Sequence, residues 1–186
     1  MEKMGKRKVP FTTGLLIGIG ETWNERIEAL KTINNSNRQY GHIQEVIIQN
    51  FKRKTDIEMA NYPEPSLEDM LKTIATARLI LDSEISLQAP PNLSERHILY
   101  LKAGINDWGG ISPTTIDFIN PERDWPEIET LAKSTKKEGF NLLERLTVYP
   151  SYQKKEKSFL HNNLSLKVNE MARSDGLAIN QSHRVI

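Results

Sequence analysis

Apolar and polar positions alternate along the chain in two rhythms, one of period two or continuous, the other of helical spacing. Residues 11–19 form a nearly continuous apolar run, the pattern of a strand buried on both faces. The run carries Gly14, Gly18 and Gly20, which weaken a strand unless another group approaches its backbone closely. Thr22 and Glu25 then stand at capping-box spacing, and Ile27, Leu30 and Ile33 continue at helical intervals. A second apolar run, residues 45–51, predicts another buried strand, and a polar, turn-rich loop follows over 52–65. Ser66 caps the next helix with Asp69 as its box partner, and Leu67, Met70, Leu71, Ile74, Ala77 and Leu81 make one apolar stripe. Met70 belongs to that core stripe, and Arg78, late in the helix, is expected to snorkel.

Residues 84–89 predict a third strand, ending in the stiff turn Gln88-Ala-Pro-Pro-Asn92. A short helix over 94–101 stops at Gly104, and Ile105 opens a short strand that runs into Gly109 and Gly110. A helix over 121–139 places Trp125, Ile128, Leu131 and Ala132 on one face, with Gly139 as its stop. Residues 140–149 read as a further strand, in which Glu144 and Arg145 are either an ion pair or a substrate contact. Beyond Pro150 the chain is polar, with a weak helix over 164–172.

Strand followed by helix, repeated with short turns, implies parallel strands joined by right-handed crossovers. Polar residues and glycines gather at the C-terminal end of each strand, which favours a barrel rim over an open sheet. The fold class is therefore α/β, a partial (β/α) TIM-type barrel. It has about four strand–helix units over residues 1–150, where eight close a whole barrel. Residues 151–186 form a polar, partly helical C-terminal extension. The rim position brings forward Gln49 and Asn50, then Gln88 and Asn92, then Asn106, Asp107 and Trp108. Gln49 and Asn50 serve equally well as caps of their strand.

Composition narrows this picture. A chain of 186 residues suits one domain, and a net charge of +1 with no basic stripe argues against nucleic acid. No apolar run is long enough to span a membrane. The basic stretch 1–8 precedes a run broken by Pro10 and Gly14 without a small-residue cleavage site, so a signal peptide is not expected and the expected compartment is the cytoplasm. The absence of cysteine excludes disulfides, cysteine-bound zinc, a cysteine nucleophile and a cysteine-ligated iron–sulfur cluster on this chain. His42, His97, His161 and His183 lack ligand-like spacing and read as structural or solvent-facing, so no metal site is expected.

The glycines of the first strand do not make a dinucleotide fingerprint, because Trp23 stands where the third glycine belongs, and no Lys-Ser or Lys-Thr follows to make a phosphate loop. The pattern Gly14-x-Leu16-x-Gly18-x-x-Glu21 resembles the Gly-x-Ile-x-Gly-x-x-Glu motif of radical S-adenosylmethionine (SAM) enzymes, whose fifth barrel strand packs against the adenine. Taken alone it also fits a glycine-ended barrel strand with no ligand.

A longer succession carries a closer resemblance: Val9-Pro-Phe-Thr-Thr-Gly-Leu-Leu-Ile-Gly-Ile-Gly-Glu21, Tyr40-Gly-His-Ile-Gln-Glu-Val-Ile-Ile-Gln-Asn-Phe51, Pro63-Glu-Pro-Ser66, Gln88-Ala-Pro-Pro-Asn-Leu93, Gly104-Ile-Asn-Asp-Trp-Gly-Gly110 and Glu144-Arg-Leu-Thr-Val-Tyr-Pro150. Over residues 9–150 the chain resembles the FO synthase family, the ring-closing radical SAM lyases of deazaflavin coenzyme biosynthesis. The resemblance implies a 4Fe-4S cluster and SAM as cofactors. Their 5′-deoxyadenosyl radical acts on an adduct of tyrosine and 5-amino-6-ribitylaminouracil, which closes to FO with loss of ammonia. It implies that residues 11–19 are the fifth barrel strand, so that this chain is the C-terminal portion without the Cys-x-x-x-Cys-x-x-Cys loop and is inactive alone. By the same implication Gly14, Leu16, Gly18, Glu21, Gln49 and Asn50 lie on the SAM side, and Gln88, Asn92, Asn106, Asp107 and Trp108 on the substrate side, with no catalytic residue assigned. The implied partners are a chain carrying the N-terminal half of the barrel and the subunit that joins tyrosine to the uracil. The competing expectations are a related radical SAM enzyme, such as that joining subunit, and a non-catalytic remnant or scaffold.

Overall fold

The computed structural model describes residues 1–112, 114–154 and 159–179. Three strands, β1 (Phe11–Ile17), β2 (Ile43–Asn50) and β3 (Ser86–Gln88), pair in parallel in the order β1-β2-β3. A short helix α1 (Glu2–Lys6) precedes them, and α2 (Trp23–Tyr40) and α3 (Leu67–Ile80) are the two crossovers. The starts of both crossover helices follow from their caps. The Thr22 hydroxyl accepts from the Glu25 N–H at 3.3 Å while the Thr22 N–H donates to the Glu25 carboxylate at 2.7 Å. Ser66 accepts from the Asp69 N–H at 3.1 Å. α2 stops at Gly41, whose φ of 63° is the left-handed conformation that glycine adopts most readily.

Both crossovers lie on one face of the sheet. Val46, Ile48 and Leu87 point into that face and are buried with Leu30, Ile33, Met70, Ile74 and Ala77. Residues opposite one another in register share a face. Thr12 with Glu45, Gly14 with Ile47, Leu16 with Gln49, and Ile47 with Gln88 therefore form the other face, which no crossover helix covers.

The structure departs from the sequence reading in several places. β1 is an edge strand, as a chain that opens on the fifth barrel strand is expected to have, but Gly14 and Leu16 are exposed, so it is not buried on both faces. The fourth unit is reduced to one parallel bridge between Gln88 and Asp107. Asp107 turns back to accept from the Gly109 N–H at 2.6 Å, and Gly109 sits at φ 79°, which ends any strand there. Residues 140–149 form no strand. The Gln44 side chain binds that segment instead, accepting from the Tyr149 N–H at 3.3 Å and donating to the Thr147 carbonyl at 3.2 Å. The structure thus shows a small parallel α/β sheet and not a closed barrel.

Among the described residues the remaining helices are α4 (Leu99–Ala103), α5 (Ile128–Lys137), α6 (Pro150–Gln153) and α7 (Asn162–Met171), with a 3₁₀ turn at Pro91–Leu93. α5 starts later than the pattern predicts, with Glu127 in non-helical backbone (ψ 131°) immediately before it. Arg78 does more than snorkel. Its guanidinium donates to the carbonyls of Gly104 and Ile85 at 2.9 and 3.2 Å and to the Asn106 side chain at 3.1 Å. No helix among the described residues is long and apolar enough to cross a membrane. His183 lies outside the described residues.

His42, immediately before β2, is fully buried, stacked on Phe11 and edge-on to Tyr40. Burial pushes its pKa down, so the unfolded chain takes up a proton at a higher pH than the folded one. Stability from this residue is complete above the ordinary histidine range and is lost as pH falls through it. Thermal melts between pH 7.5 and 5 should show falling stability, and His42→Leu should flatten that slope; an unchanged slope would remove His42 as its source.

Candidate functional site

The loop ends of parallel strands are where α/β proteins place their ligand-binding groups. After β1 the chain turns through Gly18 and Gly20, at φ 89° and 103°. A Cβ on Gly18 would stand 2.5 Å from the Pro65 ring, so the turn is packed against the β2–α3 loop. Glu21 pins this turn from within, accepting from the N–H groups of Gly18 and Ile19, each at 2.8 Å. Arg26 of α2 donates to Glu21 at 2.7 Å and grips Asp69 of α3 with both ends of its guanidinium, at 2.8 and 3.1 Å. Burial alone would raise the Glu21 carboxyl, but the two N–H bonds and Arg26 outweigh it and hold it below the usual carboxylate range. Glu21 is thus an ionised structural clamp on the glycine turn.

Leu16 is 45% exposed on the uncovered face, beside Gln49 of β2 and in line with Gly14. A Cβ on Gly14 would collide with the Ile47 carbonyl oxygen, so glycine lets the two strands approach at that point. Gln88 continues the face on β3, close against Gly109. At the same face a polar cluster is closed over by residues 145–149. Glu45, which is 5% exposed, accepts from Thr12 at 3.1 Å and from Arg145 at 3.1 Å. Arg145 also binds Asp107 and lies over the Tyr149 ring, 4.1 Å from its centre. The Tyr149 hydroxyl is 2.7 Å from Glu45 and 2.8 Å from Asp107.

One hydroxyl has one hydrogen to donate, so only one of those two short contacts can be a bond donated by Tyr149. The other becomes a hydrogen bond when a carboxyl supplies the proton. Glu45 is the group placed to hold it. Burial pushes its carboxyl up, and the Asp107 charge adds to this against the opposing bonds from Tyr149 and Arg145. Burial and the two carboxylates likewise raise the Tyr149 phenol far above its ordinary value, which keeps it a donor.

The other sequence-predicted residues go elsewhere. Asn50 turns to the helix-covered side at the end of β2, 4% exposed, and its side-chain oxygen has no hydrogen-bond partner. Asn92 donates to Asp117 at 2.9 Å and to the Arg123 carbonyl at 3.3 Å. Asn106 accepts from the Leu87 N–H at 2.8 Å and so extends β3 by a side chain. Trp108 is turned into the core, edge-on to His97, and donates to Thr135 at 3.2 Å. The structure therefore brings Gly14, Leu16, Gln49, Gln88 and Asp107 to one face and leaves Asn50, Asn92, Asn106 and Trp108 away from it. Glu45 and Tyr149 escape sequence reasoning. A glutamate opening an apolar run is a signal for Glu45, whereas nothing in the sequence pairs it with Tyr149.

Two adjoining clefts open at the C-terminal end of β2, of about 500 and 270 Å³. Lys52 and Arg123 line both, and Asn50 and Ser66 line the smaller.

No family model matches the chain. Among curated proteins it is 51% identical to a 7,8-didemethyl-8-hydroxy-5-deazariboflavin synthase of Methanopyrus kandleri, over 94% of this chain and 52% of that protein. The corresponding protein of Methanococcus aeolicus is 56% identical over 82% of this chain and 43% of its own length. An FO synthase of Mycobacterium leprae is 49% identical over 80% of this chain and 17% of its own length. The chain spans about half the length of the first two.

Replacing Tyr149 by Phe leaves Glu45 and Asp107 facing each other with only Arg145 between them. Urea denaturation at pH 7 should show a loss of about 1–3 kcal/mol, the cost of leaving buried polar groups unpaired. Because the Glu45 carboxyl is raised in the folded state, its contribution falls as pH rises from the ordinary carboxylate range through the folded value. Glu45→Gln, which keeps the shape and removes the charge, should cost less than the tyrosine change as pH falls toward the ordinary carboxylate range. The reverse order would refute the shared proton.

Proposed function

Because the chain belongs to the 7,8-didemethyl-8-hydroxy-5-deazariboflavin (FO) synthase family as a stretch of about half its relatives' length, we propose that it supplies the SAM- and substrate-facing half of such an enzyme. The proposed reaction is closure of the deazaflavin ring from the tyrosine–ribitylaminouracil adduct with release of ammonia, a radical SAM lyase step. The observation that carries the reading is the placement of the Gly14-x-Leu16-x-Gly18-x-x-Glu21 stretch. It lies on an edge strand whose uncovered face offers an exposed apolar side chain, while Glu21 holds the turn beside it.

The residues present fit SAM and do not fit the cluster. Leu16 gives a flat apolar surface for an adenine, and Gln49 beside it is a polar group at the strand's end. A 4Fe-4S cluster is held by cysteine thiolates, and the sequence has none. We therefore assign the cluster to the remaining stretch of the family's length. This chain's part is to hold the two small molecules, with Gln88 and Asp107 further along the same face toward the substrate. On this reading residues 1–150 are the barrel portion, and the isolated chain makes no FO.

The edge position of β1 supports a partner that pairs with it, since an apolar edge with free N–H and C=O groups favours association. The missing cysteines also favour a second reading, a non-catalytic remnant. Mixing this chain with a segment that carries the three-cysteine loop, followed by anaerobic reconstitution and reduction, separates the two. Formation of 5′-deoxyadenosine and FO by the mixture, and by neither part alone, is the expected result. Activity of this chain alone would overturn the assignment of the cluster. A stable complex without activity would favour the remnant.

A branched side chain at Gly18 meets both the Pro65 ring and an unfavourable φ. Gly18→Val should reduce SAM affinity of the reconstituted mixture by calorimetry, with a smaller relative loss of thermal stability. Unchanged affinity with lost stability would make the turn purely structural.

A further inference from the structure

We propose that Gln88 determines specificity for the uracil part of the substrate, its side-chain amide forming a paired hydrogen bond with the imide edge, C=O and N–H, of the ring. The inference rests on the function proposed above for the choice of substrate, and names the group that reads it.

Gln88 ends β3 on the face that no crossover helix covers. Its backbone is held on both sides, by Ile47 of β2 in register and by the bridge to Asp107. Its side chain is confined as well. A Cβ on Gly109 would collide with the Gln88 amide, so the amide packs against bare backbone, and Gly109 at φ 79° has the conformation that favours glycine. Gln88 is 8% exposed, yet its amide has no hydrogen-bond partner among the described residues. Neither of its polar atoms is sealed from solvent, in contrast to the side-chain oxygens of Asn50 and Asn92. A carboxamide carries an acceptor and two donors. Holding it nearly buried and unpaired costs stability that an apolar side chain of the same length would not cost. A confined, accessible amide without a partner is a group kept for a ligand.

The charges around Gln88 are already committed. Arg145 binds Glu45 and Asp107, and the Tyr149 hydroxyl lies between the same two carboxylates. Arg78 is taken up by the carbonyls of Gly104 and Ile85 and by Asn106. A charged ligand would find no free counter-charge there, and a simple anion or cation would match only one end of the amide. A neutral group with a donor and an acceptor side by side matches both ends, and the imide edge of a uracil has that arrangement. Gln49, another amide of this face without a partner among the described residues, follows Ile47 by two positions along β2. Strand spacing and rise place its Cα about 8 Å from that of Gln88. Gln49 stands in register with Leu16, so the two amides serve different molecules, Gln49 the SAM and Gln88 the uracil.

Binding is measured on the full chain, without cluster or turnover. Isotope-labelled chain is titrated by NMR with 5-amino-6-ribitylaminouracil, with its N3-methyl derivative and, separately, with SAM. The expected result is a saturable shift of the Gln88 side-chain amide and the Gly109 N–H with the ribitylaminouracil. The N3-methyl derivative, whose imide N–H is blocked, should bind at least about tenfold more weakly, the loss expected when a nearly buried acceptor is left without its donor. Gln88→Met, close in size, should weaken binding of the ribitylaminouracil by a similar factor and leave SAM affinity unchanged. The N3-methyl comparison uses the unaltered chain, so it decides the matter if the variant does not fold.

No saturable shift, equal binding of the N3-methyl derivative, or an affinity indifferent to Gln88→Met would overturn the assignment. So would a Gln88 shift that saturates at lower SAM than ribitylaminouracil concentration, which gives the amide to the cofactor. A reconstituted mixture that binds the ribitylaminouracil through Gln88 but makes no FO would refute the proposed function and leave the role of Gln88 standing. FO formation at unchanged KM in a mixture carrying Gln88→Met would refute the role of Gln88 alone.

Discussion

One guanidinium holds the architecture of the loop end together. Arg26 is 8% exposed, and it joins the turn after β1, the first turn of α3 and, through Thr73 at 3.0 Å, the body of α3. Removing one partner of such a buried ion pair typically costs about 3–5 kcal/mol, because the remaining charge is left without compensation. Glu21 has to stay ionised to hold the N–H groups of Gly18 and Ile19, and Arg26 keeps it so. The conformation of the glycine turn is therefore set by a residue on the next helix, which is itself oriented by the helix after that. Whatever lies against the uncovered face of β1 meets a turn already fixed in shape.

The two faces of the sheet divide the labour in the same way. The helix-covered face is apolar, with Val46, Ile48 and Leu87 fully buried, and it supplies the burial that stabilises the fold. The other face carries Thr12, Glu45, Gln49, Gln88 and Asp107, groups that a strand buried only for stability would not choose. Part of it is sealed by Arg145 and Tyr149, which satisfy Glu45 and Asp107. The part nearer the strand ends is left open at Leu16.

The crossovers and their caps were legible in the sequence because each rests on local chemistry. The Thr22 and Glu25 box, the Ser66 cap and Gly41 act within a few residues, and the stripe from Leu67 to Leu81 has one period. The strand over residues 140–149 was misread because its apolar content is not matched by burial, with Phe140 and Leu143 exposed, and because Gln44, more than a hundred positions away, takes backbone groups that a ladder would use. Trp108 beside two glycines suggested a rim position, but its indole finds Thr135 on α5, a partner that no local pattern announces. The candidate site was legible where it depends on backbone, at Gly14 and Gly18. It was illegible where it depends on distant charges, since Glu45, Asp107, Arg145 and Tyr149 span more than half the chain.

The edge at β1 gives the open end its meaning. In a parallel sheet each strand needs a neighbour on both sides to satisfy its backbone, and β2 serves β1 on one side only. Natural edges are blunted by lysine, proline or bulges; here Pro10 precedes the strand and one register shift lies between Phe11 and Thr12, both at its start. From Thr13 to Ile17 the edge carries no such device, and Leu16 stands on its exposed face. Protection that is confined to the beginning of the strand leaves free the half nearest Gly18, where the fixed turn and the apolar side chain are. A neighbour pairing there would cover the backbone and Leu16 at once. It would also close a wall beside Gln49, the polar residue that stands in register with Leu16.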